Sequence, residues 1–135
     1  MIGGGVPAEH PLVGVARWLR LAGAAQADCP GLAVVGGGAS WLRRFFPLAA
    51  SAAVRSGRTA LFGAGRGTLA YPEWARDLAE RGTLDPRRVC LTCSKCSTML
   101  RWGGPVGCAV RDADLYAPEY RRACRAARSA ASPPR

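Results

Sequence analysis

Apolar positions along the first half of the chain fall into blocks with two different periods. Between residues 12 and 25, Leu12, Val15, Ala16, Leu19 and Ala22 recur at three- and four-residue intervals, with Arg17 and Arg20 off that stripe. This is the period of an amphipathic helix. Asp28-Cys29-Pro30-Gly31 breaks it. Residues 32–35 (Leu-Ala-Val-Val) then form a continuous apolar run, as expected of a strand covered on both faces, which Gly36-Gly37-Gly38 ends. A second helix is expected over residues 41–55, with Ser40 as its cap and Pro47 starting a new turn or kinking it. Residues 59–62 (Thr-Ala-Leu-Phe) repeat the short strand, and residues 63–67 repeat the glycine turn. Pro72 is expected in the first turn of a third helix that ends near Arg81.

Strand, glycine turn and helix, twice over, predict parallel strands joined through helices and hence an α/β fold. After Gly82 the pattern stops. Residues 85–107 read as a cysteine-bearing loop and residues 118–131 as an arginine-rich helix. Residues 1–11 read as a Gly- and Pro-rich loop and residues 132–135 as a frayed end.

A chain of 135 residues gives one domain of ordinary size or part of a larger one. A hydrophobic content of 49% excludes disorder. The formal net charge of +10 raises nucleic acid as a partner. That charge, however, is 18 arginines and one lysine spread along the whole sequence, in a composition also rich in Ala, Gly and Pro. Compositional bias is the preferred reading, and nucleic acid is not the expected partner. The opening residues carry no positive charge and Glu9 comes early, so no signal peptide is expected. No apolar run approaches the roughly 20 residues of a membrane span. Both point to the reducing cytoplasm, where clustered cysteines are metal ligands or redox groups.

Those cysteines are Cys90, Cys93 and Cys96 at two-residue gaps, followed by Cys108. Closely spaced Cys-x-x-Cys ligands are how iron–sulfur loops are built. Structural zinc more often uses two separated pairs, each on its own knuckle. Spacing alone therefore favours a [4Fe–4S] cluster, with zinc second and disulfides or free thiols also open. Cys29 and Cys124 stand apart and read as ordinary buried or helix-surface thiols. The glycine turns at residues 36–38 and 63–67 fit a phosphate site, where backbone N–H groups approach the oxygens unhindered and Arg66 adds a guanidinium. Tight turns between strand and helix explain the same glycines without a ligand. Neither turn has the dinucleotide-binding spacing. His10, the sole histidine, reads as a surface or helix-start residue.

The stretch Phe62-Gly-Ala-Gly-Arg66-Gly-Thr-Leu-Ala-Tyr-Pro72-Glu-Trp resembles the eighth βα unit of the NADH:flavin oxidoreductases of the old yellow enzyme family. Val34-Val-Gly-Gly-Gly-Ala-Ser-Trp-Leu42 resembles the seventh. The cysteine loop and the stretch from Gly107 to Tyr120 are similar to the iron–sulfur branch of that family, which includes 2,4-dienoyl-CoA reductase and trimethylamine dehydrogenase. The resemblance covers roughly residues 8–125. It implies the last two units of a (β/α)8 TIM barrel over residues 1–83, a cluster loop over 84–116 and a C-terminal helix and tail over 117–135. It further implies that Gly37, Gly38, Gly65 and Arg66 surround the phosphate of FMN, and that Cys90, Cys93, Cys96 and Cys108 ligate the cluster. NAD(P)H would be the electron donor of the full-length family.

A complete barrel takes about 250 residues, and the counterparts of its first six strands are missing from this chain. The chain accordingly reads as a C-terminal fragment, inactive alone, with no catalytic residue of its own. Its unpaired strand edge calls for a chain that supplies the missing strands, or for a homo-oligomer. The alternative reading is a small zinc- or cluster-binding module with a basic surface for nucleic acid or protein.

Overall fold

The computed structural model describes residues 9–131. The expected frayed end at 132–135, and all but the last residues of the expected opening loop, lie outside them. The chain divides into two compact units, Met1–Gly65 and Arg66–Arg135.

In the first unit, α1 (Pro11–Asp28) begins with a proline whose missing N–H costs nothing at a helix start. His10 caps it, its Nδ1 accepting from the Leu12 amide at 3.3 Å. Along the expected stripe Val15 is buried and Leu19 and Ala22 are half-buried, whereas Leu12 and Ala16 are exposed. The buried line continues instead to Gln26, whose amide donates to the Leu32 carbonyl (2.8 Å) and accepts from the Val34 N–H (3.0 Å). One side chain thus ties the helix end to the start of β1 (Val35–Gly36).

β1 pairs in parallel with β2 (Leu61–Phe62), Val35 opposite Leu61 and Gly36 opposite Phe62. Both strands are shorter than expected; ahead of β1, Gln26 takes the Leu32 carbonyl and the Val34 N–H, while the Val34 carbonyl accepts from Ala60 and Leu61. The expectation of strands covered on both faces is corrected as well. Gly36 is buried, and a β-carbon there would lie 2.8 Å from Thr59 Cγ2, yet Val35 and Leu61 are 60% and 59% exposed.

A 3-10 segment (Ser40–Phe45), itself kinked at Arg43 (φ +53°), precedes α2 (Phe46–Arg55). Ser40 lies inside the 3-10 helix and makes no side-chain cap bond there. Pro47 occupies the first turn of α2, where a proline that starts a new turn belongs.

In the second unit, α3 (Gly65–Ala70) leads to α4 (Trp74–Arg81). Pro72 lies in the turn before α4 and not inside it. Gly82 ends α4 in the left-handed conformation (φ +68°), its N–H on the Leu78 carbonyl at 2.9 Å. The stretch expected as pure loop contains a further helix, α5 (Lys95–Arg101). α6 (Ala113–Ala131) starts before Pro118 and carries that proline in its second turn. Met99, Ala109 and Ala123 form the core between α5 and α6, with Cys96, Tyr116 and Tyr120 packed on it. No helix among the described residues is long and apolar enough to cross a membrane.

Candidate metal centre

The base of the cysteine loop is fixed by a polar clamp on α4. Asp77 is 1% exposed and accepts a short hydrogen bond from the Tyr71 hydroxyl. Arg88 reaches the same carboxylate at 3.3 Å, pairs with Glu73 and lies over the Tyr71 ring at 4.2 Å. The Tyr71 bond, then the charges of Arg81, Arg76 and Arg88, hold Asp77 below the ordinary aspartate range against its burial. Burial first and the Asp77 bond second push Tyr71 up, and the Asp85 amide and Arg88 pull it partly back.

The segment from Leu84 to Val89 is pinned on this clamp. Leu84 and Val89 are buried, and Asp85 turns the chain by accepting the Arg87 N–H on its carboxylate (2.8 Å) and the Arg88 N–H on its carbonyl (3.0 Å). Cys90 follows directly from Val89, so its backbone is set by buried neighbours.

The next residues wind tightly. Thr92 (φ +56°) and Ser94 (φ +59°) are both left-handed without being glycine, a conformation that costs of order 1–3 kcal/mol each. Their strain bends the chain around Cys93. The Thr92 N–H points back at Cys90 Sγ, 3.3 Å away. α5 then carries Cys96 on the side that packs against Met99.

Cys108 comes from the opposite side. Gly107 is buried, and a β-carbon on it would meet the Tyr116 ring at 2.2 Å, so the ring of α6 seats the backbone just before the cysteine. The Arg111 N–H points at Cys108 Sγ (3.4 Å), while the Arg111 guanidinium donates to the Val89 carbonyl at 3.0 Å. Arg111 therefore ties the segment leading into Cys90 to the turn holding Cys108.

Cys90, Cys93, Cys96 and Cys108 line one small cavity, about 20 Å³, together with Arg66, Ser94 and Arg111. Burial pushes the Cys90 thiol up, and Cys108 and Cys96 add to the rise. The Thr92 amide and Arg66 oppose it. Among the described residues no three Cys, His, Asp or Glu side chains already stand close enough to grip an ion. Cys93, between the two left-handed residues, is the exposed one of the four thiols. An all-thiol donor set with amides aimed at its sulfurs fits an iron–sulfur cluster or zinc.

All six cysteines are free. Cys29 is exposed beyond α1, not buried. Cys124 is half-buried on α6, where it hydrogen-bonds Tyr120 and raises that phenol.

The expected phosphate residues are placed less uniformly. Gly37 and Gly38 follow β1 and Gly65 follows β2, so the parallel pairing leaves their turns at the same end of the strands. Gly38 is left-handed (φ +78°), and a side chain at Gly37 would come 3.6 Å from the Gly63 carbonyl. Gly65 opens α3 with nothing near its missing β-carbon. Arg66 sends its guanidinium to Ser94 Oγ at 3.2 Å.

No family model matches the chain, and comparison with curated proteins and with solved structures gives no significant match. Gly107, Arg111 and Gln26 were not singled out by the sequence. Only Gly107, a glycine adjoining a predicted ligand, carried a signal.

Proposed function

We propose that this chain holds a [4Fe–4S] cluster on Cys90, Cys93, Cys96 and Cys108 and serves as the cluster-bearing part of an FMN-dependent NAD(P)H:flavin oxidoreductase. The observation that carries the reading is the gathering of all four predicted cysteines around one cavity, with backbone amides of Thr92 and Arg111 aimed at two of the sulfurs. Such donors stabilise thiolate charge when metal binds. The bound groups would supply one-electron transfer at the cluster and hydride acceptance at the flavin.

The chain's own residues hold the ligands. The α4 clamp and Val89 fix Cys90, the α5–α6 core fixes Cys96, and Tyr116 seats Cys108 through Gly107. The turns bearing Gly37, Gly38 and Gly65 are the proposed contacts for the FMN phosphate, supported by their common end of the strand pair and by the family resemblance. Relay of electrons, not substrate turnover, is the role proposed for the chain alone.

The test is iron, acid-labile sulfide, zinc and flavin per chain after anaerobic purification. About four irons and four sulfides are expected, with both lost in Cys93→Ala. Zinc in their place would overturn the cluster and leave a thiolate zinc module; no metal at all would overturn both.

A further inference from the structure

Arg66 stands in the first turn of α3, and its Nη1 donates to Ser94 Oγ across 28 positions of sequence. Ser94 separates Cys93 from α5 and is one of the two left-handed residues that bend the loop. Arg66 also lines the cysteine cavity itself.

The other arginines of this unit whose partners are known are differently engaged. Arg76, Arg81 and Arg88 surround Asp77, Arg87 pairs with Asp85 and Arg122 with Glu119, whereas Arg111, which also lines the cavity, donates to the neutral Val89 carbonyl. Among the described residues Arg66 forms no ion pair with a carboxylate. Its charge therefore faces the thiols without being neutralised by the protein. Lys95, between Cys93 and Cys96, also lines the cavity, and its ammonium lies 5.3 Å over the Tyr120 ring.

We propose that Arg66 is a positioning residue of the cysteine site, holding the Cys93–Ser94 bend through the serine hydroxyl and setting the site's reduction potential by its charge. This rests on the cluster reading above, and it assigns Arg66 to the cluster in place of the flavin phosphate. The sign follows from charge alone. Reduction adds an electron to a site already made negative by four thiolates, so a nearby cation favours the reduced state and raises the potential.

Arg66→Ala and Arg66→Lys separate the two parts of the role. With the cluster-loaded full chain, spectroscopically monitored reductive titration is expected to show a more negative midpoint in Arg66→Ala. Arg66→Lys, which keeps the charge, should stay close to wild type. Release of iron to a chelator should quicken about tenfold in Arg66→Ala, in line with the loss of an outer-shell partner. Ser94→Ala should reproduce the faster release with little change in potential, since the charge remains.

An unchanged midpoint in an Arg66→Ala chain that still holds its iron would overturn the proposal while leaving the cluster standing. So would a tenfold loss of FMN affinity with the midpoint unmoved, which would return Arg66 to the phosphate. A wild-type chain that holds no iron would overturn the cluster reading and this inference together.

Discussion

Gly107 stands immediately before the fourth cysteine, with the Tyr116 ring laid where its side chain would be. Gly107→Ala puts a methyl 2.2 Å from that ring, so either the ring or the backbone of Cys108 must move. Overpacking of this kind costs about 1–3 kcal/mol. Urea unfolding of the metal-free chain should show that loss, and iron content should fall with it. Adding Tyr116→Leu should recover part of both, because the two changes share one contact. A Gly107→Ala chain as stable and as iron-rich as wild type would show that Tyr116 does not seat Cys108.

The same scale governs the acid side of stability. Asp77 is held low by the Tyr71 hydroxyl and by three guanidinium groups. A carboxyl whose folded pKa is depressed contributes stability that is fully present above its unfolded value, about 4. That stability is lost as pH falls through the lower folded value. Melting temperature should therefore drop as pH is lowered below about 4. Asp77→Asn should melt lower at neutral pH but show a shallower acid decline. An equally steep decline in the variant would place the acid sensitivity elsewhere.

At the level of elements, the α5–α6 pair makes the core on which two of the four cysteines depend. Met99 is fully buried between the helices. Met99→Ala should cost about 2–5 kcal/mol, read as a lower urea midpoint, and should loosen Cys96 and so lower iron retention. Thermal or chemical unfolding indistinguishable from wild type would mean that this hairpin does not limit stability.

What the sequence disclosed at this scale follows from length and period. α1 and α2 are long enough for apolar periodicity to show, and both strands announced themselves as apolar runs between glycines. α5 did not, because seven residues, Lys-Cys-Ser-Thr-Met-Leu-Arg, are two turns with no capping side chain and only one buried position. α6 was expected from Pro118 because proline favours a first turn. Instead the helix path grows directly out of the Cys108 turn, where the Asp112 N–H bonds the Cys108 carbonyl and the Tyr116 N–H bonds that of Asp112. The four cysteines were legible from spacing. Arg111 and Tyr116, which position one of them, were not, since their contacts depend on how the chain returns.

Over the whole molecule, most of the exposed large apolar side chains are in the first unit, among them Leu12, Val13, Trp18 and Leu21 of α1 and Val35 and Leu61 of the strand pair. Val35 and Leu61 are directly opposed in register, so their exposed side chains form one continuous apolar strip. Two strands also leave two edges whose backbone groups can pair with another chain. Burying the exposed part of two such side chains, each worth about 1.5–3 kcal/mol when fully transferred, adds to strand pairing in favouring association with further copies or a strand-supplying partner. The purified chain should accordingly show concentration-dependent association in sedimentation velocity. Val35→Thr with Leu61→Thr places β-branched residues suited to a strand at both positions while making the strip polar, and should shift the distribution toward monomer. The iron content should not change, because neither residue lines the cysteine cavity. Association unaffected by the double substitution would move the adhesive surface to α1, where Trp18→Gln is the corresponding test.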